Sequence, residues 1–529
     1  MKKTLFSLLA FISLNAFAQQ MSFFTPTTYR GAFEPSPVPM WTDSWTNWDP
    51  QYTIYPTPTD TISDSITTNT TWTNTKTYLV QGPLYVKANL TIQPGTVVLF
   101  DKSAAGSALI ITTKGKLFAD GQVNGAPIPN FINPIVFASS AVPGQRTIGD
   151  WGGIVILGEA KNNLPANAAS GNPAGIGFIE GLPTSTNTQY GGNNDLDTSG
   201  ILRYVRIEFG GYAYQPDKEI NGLTFGSVGS GTLVDYVQVS FTNDDAFEWF
   251  GGTVNAKHLV SYRNLDDDMD CDFGYRGNVQ FVLIVRDPLI ADQSSGSTSE
   301  GFECDNDGAG SNNTPKTAAV FSNVTAVGPL RGNTQSTIDP KHQRALRLRR
   351  NSEMKIFNSV FMDFKRGLHI DGMSTEANAQ LGTLKFKYNT IAGCYEKYMV
   401  PSVNNWNIRN WFLTNSNDTS TTTSTLLISP YNYITADYRP SPNSVLLSGA
   451  SFLDVELGSL GLNEFGINDD FYPNPVGDVV NFKTNGLIVD LNGKLVTKVE
   501  KGDNFVGYLQ SGVYIYKNEL GQTYKFLKQ

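Results

Sequence analysis

Short segments of one pattern return along the middle of this chain at an interval that few folds accommodate. Phe247-Glu248-Trp249-Phe250, Met269-Asp270-Cys271-Asp272, Phe302-Glu303-Cys304-Asp305 and Leu368-His369-Ile370-Asp371 alternate apolar and polar residues, as a strand with one buried face does. Leu346-Arg347-Leu348-Arg349 falls between the last two, and Leu223-Thr224-Phe225-Gly226 precedes them all. Positions 248 and 270 are 22 apart, as are 347 and 369, and 224 and 248 are 24 apart. The longer steps, 270 to 303 and 303 to 347, span loops around 292–299 and 308–314. A period near 22 with insertions at fixed places is a solenoid signature.

A second series of strands interleaves with the first. Leu202 to Phe209 and its near copy Val234 to Phe241 open it. His258 to Tyr262, Phe281 to Val285, Phe321 to Thr325, Phe357 to Phe361 and Tyr388 to Ile391 follow. Two strand series per short period predict the rungs of a right-handed parallel β-helix, stacked about 4.8 Å apart around a continuous apolar column. Phe247, Met269, Phe302, Leu346 and Leu368 would form one inward ladder, and Trp249, Cys271, Cys304, Leu348 and Ile370 its neighbour. A β-propeller would need blades of about 40 residues joined by hairpins, and a sandwich would not repeat. The three cysteines, Cys271, Cys304 and Cys394, are too few for a disulfide scaffold. The first two belong to the inward ladder and read as core thiols.

The remaining chain divides around this solenoid. Residues 1–18 read as a signal peptide. Lys2 and Lys3 precede a short apolar run from Leu5 to Leu14, and Ala16-Phe17-Ala18 suits cleavage before Gln19. The run is too short to cross a bilayer, and no transmembrane segment is expected elsewhere. Residues 19–78, rich in Thr, Trp, Tyr and Pro, are expected to cap the open end of the coil, 79–440 to form the β-helix, and 441–466 to be a linker.

Residues 467–529 contain four ordered pieces: Tyr472-Pro473-Asn474-Pro475, Val489 to Lys494, Leu509 to Ile515, and the terminal Lys525-Phe526-Leu527-Lys528-Gln529. In that order they resemble the C-terminal sorting domain of type IX secretion cargo in Bacteroidetes. The resemblance implies a small Ig-like β-sandwich, type IX secretion machinery as partner, and delivery by way of the periplasm to the outer-membrane surface or the medium. The middle region is similar to secreted Bacteroidetes β-helix proteins of uncharacterised function. Trp151-Gly152-Gly153, Asn243-Asp244-Asp245, Phe250-Gly251-Gly252 and Asp266-Asp267-Asp268 carry that likeness.

Charge narrows the partners. The precursor carries a net charge of −9, and removal of Lys2 and Lys3 makes the mature chain more acidic, which argues against nucleic acid. Neutral glycans, proteins and divalent cations remain. In the repeat alignment Glu248, Asp270 and Glu303 stand on successive rungs with Asp272 and Asp305 alongside. Like charges at that spacing repel by about 1 kcal/mol per pair even in water. These five residues are therefore the expected metal ligands, with Ca²⁺ as the ion because it accepts irregular carboxylate sets. The other reading is a solvated acidic face with Asp and Asn in turns.

Beyond them the surface turns basic, and Arg347, Arg349 and His369 are the expected binding residues for a glycan or a protein ligand. Two functions fit: a surface-exposed binding or adhesive module for glycans or matrix, and a calcium-dependent polysaccharide lyase or hydrolase. An acidic patch beside a basic one resembles the pectate-lyase-like enzymes. That resemblance implies a base drawn from Lys257, Arg263, Arg276 or Arg347.

Overall fold

The computed structural model describes residues 23–123, 131–167, 171–215, 218–333, 337–400, 406–458, 471–472, 478–489, 495–509, 512–519 and 523–528. The signal segment 1–18, Pro473 to Pro475, Asp490 to Lys494, Gln510, Ser511 and Gln529 lie outside them.

Pro26–Ser451 forms one compact unit, a parallel β-helix. One full turn shows how the sequence builds it. Leu223–Gly226 lies on one face, the chain turns, Leu233–Ser240 covers two further faces, and a second turn leads to Phe247–Phe250. The pairing is parallel and in the register that the spacing predicts. Thr224 sits beside Glu248, Glu248 beside Asp270, Asp270 beside Glu303, Glu303 beside Arg347 and Arg347 beside His369. Both inward ladders are buried to the last atom, and Cys271 and Cys304 occupy paired core positions as free thiols. Each large apolar side chain in such a column contributes roughly 1.5–3 kcal/mol of transfer free energy.

The corner between the two other faces is made in an uncommon way. Tyr204, Tyr236, His258, Phe281 and Asn323 each hold a left-handed backbone in mid-strand, with φ of 52°, 53°, 51°, 62° and 58°. For a residue with a Cβ this costs about 1–2 kcal/mol. Stacking offsets it, because the corner repeats on every rung. Tyr204 and Tyr236 lie 4.4 Å apart between ring centroids, Tyr236 and His258 4.1 Å, and His258 and Phe281 5.1 Å, all nearly parallel.

The N-terminal segment departs from the expected cap. Residues 26–57 run along the flank of the coil, over the aromatic corner. Gly31 N–H donates to Asn358 O at 2.8 Å, Trp41 and Trp45 pack on Tyr236, and Tyr55 donates to Glu208 at 2.5 Å. The strands Asp60–Ile62, Thr70–Trp72 and Thr77–Val80 already belong to the coil itself. The expected linker also begins too early: Leu446 is buried, and Arg30 donates to Val445 O and Ser448 O, so the chain as far as Ser451 belongs to the solenoid unit.

The C-terminal unit carries two antiparallel sheets. Phe471–Tyr472, Val479–Phe482 and Gly502–Phe505 form one, and Leu495–Val499, Gly486–Val489, Gly512–Asn518 and Thr523–Lys528 the other. Val480, Phe482, Ile488, Val499 and Tyr516 supply a shared core. No described helix is long and apolar enough to cross a membrane.

Candidate functional site

The face built from Phe247–Phe250, Met269–Asp272 and Phe302–Cys304 presents its polar positions outward, one rung above the next. A 65-residue interval separates strand Ile154–Leu157 from its neighbour Leu223–Gly226 in that sheet, counted from Leu157 to residue 222. Part of this insertion folds back over the face, with Gly177–Phe178 and Gln189–Tyr190 pairing as a short antiparallel ribbon. Between ribbon and sheet lies a cavity of about 600 Å³.

Carboxylates form its floor. Glu248, Asp270, Asp272, Glu303 and Asp305 all line it, joined by Glu180 from the insertion. Glu248 is 6% exposed, and only Oε2 accepts a hydrogen bond, from Asn221. Among the described residues the Asp270 carboxylate makes no hydrogen bond or ion pair, and the Asp272 carboxylate accepts only from its neighbour's backbone, Phe273 N–H, at 3.0 Å. Burial, reinforced by the neighbouring carboxylates, pushes Glu248, Asp270 and Asp272 well above the usual carboxylate range. One wall is aromatic: Tyr190 stacks on Phe250 at 6.0 Å, and Phe250 on Phe273 at 5.8 Å.

The expected metal set divides in two. Oxygens of Asp245, Glu248 and Asp270 lie within 4.8 Å of one another, and so do those of Asp244, Asp245 and Asp266. Asp266 Oδ1 is buried without a hydrogen-bond partner. These hard oxygen donors are of the type that calcium takes. Glu303 and Asp305 are a correction to the expected set. Arg349 pairs with both of them, its Nε 2.7 Å from Asp305, and Arg350 reaches Asp305 at 2.7 Å. Arg347 spans Glu303 at 3.3 Å and Asp371 at 3.0 Å. Their charges are met within the protein. Asp272 lines the cavity but joins neither group of converging oxygens.

The expected binding residues also separate. Arg349 lines the cavity, while Arg347 and His369 do not. Burial and the flanking arginines hold His369 down to about 4 against the pull of Asp371, so it stands neutral beside the arginine row. None of the four base candidates for a lyase lines the cavity. Arg263 is clamped by Asp287 at 2.5 Å, Arg276 by Asp195 at 2.7 Å, Arg347 by its two carboxylates, and Lys257 belongs to a different face. Glu180, Tyr190 and Asn221 complete the site unforeseen by the repeat alignment, whereas Asp245 lies in one of the two acidic loops, 243–245 and 266–268, that the alignment sets one rung apart. The over-long interval after Leu157 was the available sign that something folds over the rungs there.

A parallel β-helix with an acidic, aromatic-walled cavity on one face is the class that these features define. A family model described as a pectate-lyase like beta helix domain matches residues 64–427, so the chain belongs to that family. No curated protein matches. Among solved structures the Dettilon tailspike protein is similar at 10% identity with a TM-score of 0.17, over 62% of this chain and 62% of that one.

Proposed function

We propose that this is an exported β-helix protein that binds a glycan in the cavity between the carboxylate floor and the 164–190 insertion. The observation that carries the reading is the pairing of carboxylate oxygens without a protein donor, on Glu248 and Asp270, with the ring row Tyr190, Phe250 and Phe273. Sugars present hydroxyls to the first and C–H faces to the second. Membership of a pectate-lyase-like family supports a saccharide as the ligand class.

Calcium is part of the proposal. Asp245 is common to both converging carboxylate groups, so an ion there would draw on Asp244 and Asp266 or on Glu248 and Asp270. When bound, it would supply charge neutralisation and oxygen coordination for a sugar. Export rests on the two ends: residues 1–18 as a signal, and 467–529 as a type IX sorting domain that engages the secretion machinery and brings the protein to the cell surface or the medium. The antiparallel strands of the C-terminal unit are compatible with that reading.

The test is a screen of the full mature chain against arrayed glycans and matrix proteins, with calcium and with chelator. Retention on at least one glycan, lost in Phe250→Ala and in Glu248→Gln variants that keep the parent's circular dichroism spectrum, is expected. No glycan retained under either condition would remove the proposal.

A further inference from the structure

The cavity carries a strong charge imbalance. Six carboxylates line it, those of Glu180, Glu248, Asp270, Asp272, Glu303 and Asp305, against two guanidiniums, Arg349 and Arg350. Both arginines lie towards one end, bound to Glu303 and Asp305. The other end, around Glu248, Asp270 and Asp272, has no cationic side chain in its lining. A calcium ion at the other converging group, Asp244, Asp245 and Asp266, would leave the imbalance of the lining itself unchanged, since none of those three lines the cavity.

Glu248 is the second observation. It is 6% exposed in the cavity wall, with Oε2 held by Asn221 and Oε1 without a protein donor among the described residues. Asp270 beside it has no donor at all among the described residues. Carboxylates with so few protein donors have acceptor capacity left for a ligand that carries its own donors. Beside this pair, the stacked rings of Tyr190, Phe250 and Phe273 offer π-electron density, which also attracts a cation.

We infer that the cavity selects a saccharide bearing free amines, with an ammonium seated between Glu248 and Asp270 and the sugar face against the ring row. This deepens the glycan-binding reading and rests on it. A uronate, with its own carboxylate, would meet repulsion from the same floor, so the ligand class differs from what the family description suggests.

The experiment compares three oligosaccharides of one length by calorimetric titration of the full chain: a glucosamine oligomer, its N-acetylated counterpart and a galacturonate oligomer. Each is measured in chelator and again in calcium. The expected result is tighter binding of the amine by about tenfold or more in Kd over the acetylated form, with that advantage shrinking at high salt. In Asp270→Asn the ratio of the two affinities should fall towards one. Equal or better binding of the acetylated or uronate ligand would overturn this inference and leave glycan binding intact. Failure of every saccharide in both conditions would overturn both.

Discussion

The fold's most exacting internal contact is the ion pair of Arg286 and Asp268, 2.7 Å apart with neither side chain exposed. Asp268 also accepts from Ser261, and Arg286 donates to the carbonyls of Asn264 and Glu300. Even with this support, burial lifts Asp268 to about 6. Replacing Arg286 by Met removes the group that opposes that rise, so the carboxyl takes a proton across the neutral range. Protonation sets the ceiling on the charge penalty. Between pH 6 and pH 7 one proton must be bound that the parent does not hold, which costs about 1.4 kcal/mol, and by pH 8 about 2.7 kcal/mol. The lost carbonyl partners add roughly 1–3 kcal/mol that does not vary with pH.

The sign follows from proton binding. The folded variant binds more protons than the folded parent above the parent's value, so its relative stability falls as pH rises and levels off below about 6. Urea midpoints for parent and Arg286→Met between about pH 5 and pH 8 measure this. The double variant Arg286→Met/Asp268→Asn should keep the constant part and lose the slope. A destabilisation of the same size at both ends of the range would refute the reasoning.

Three other outcomes are expected. Because Asp245, Glu248, Asp270 and Asp272 are all raised by burial first and then by neighbouring carboxylates, ion-free protein should lose stability as pH climbs through their folded values. The rise in Tm on adding calcium should accordingly be larger near pH 8 than near pH 5; an equal rise would count against the carboxylates as ligands. Tyr236→Ala should cost about 2–3 kcal/mol by breaking two ring stacks, whereas Tyr236→Asn, which tolerates a φ of 53°, should recover part of it, as thermal denaturation would report. Deleting residues 467–529 should leave the protein in the periplasm of its native host by cell fractionation, and normal release of the truncated chain would dispose of the sorting-domain reading.

The solenoid was legible because its information is periodic. Glu248, Asp270, Glu303, Arg347 and His369 sit in one column in the structure for the same reason that they align in the sequence: a rung adds a nearly constant number of residues, and the alternation fixes which side faces out. The cavity was less legible because its roof breaks the period. Tyr190 and Glu180 come from the insertion, whose fold-back no repeat encodes. The pairing of Glu303 and Asp305 with arginines was half visible. Register placed Arg347 next to Glu303, but it could not show Arg349 reaching diagonally across to Glu303 as well as to Asp305. The flank position of 26–57 left no sequence trace, because a segment of Trp and Pro without period fits a lateral strap as well as a cap.

The carboxylate column also explains where a ligand is needed. Stacking rungs forces every member of a column to within one strand spacing of its neighbours, so a column cannot hold a run of like charges without compensation. On this face the compensation changes along the axis. From Glu303 onward the protein supplies it itself, through Arg347, Arg349 and Arg350. Before Glu303 it supplies less: no cation pairs directly with Asp270 or Glu248 among the described residues, Arg349 acts on Asp270 and Asp272 only through its field, and Glu248 has a single amide donor. The insertion crosses the face over this stretch, adding Glu180 where a cation would have been the stabilising choice for folding alone. Interactions that serve only stability would have continued the arginine row. A face that stops doing so over a cavity of about 600 Å³, and adds another acid there, supports the proposal of a positive group that arrives from outside the chain.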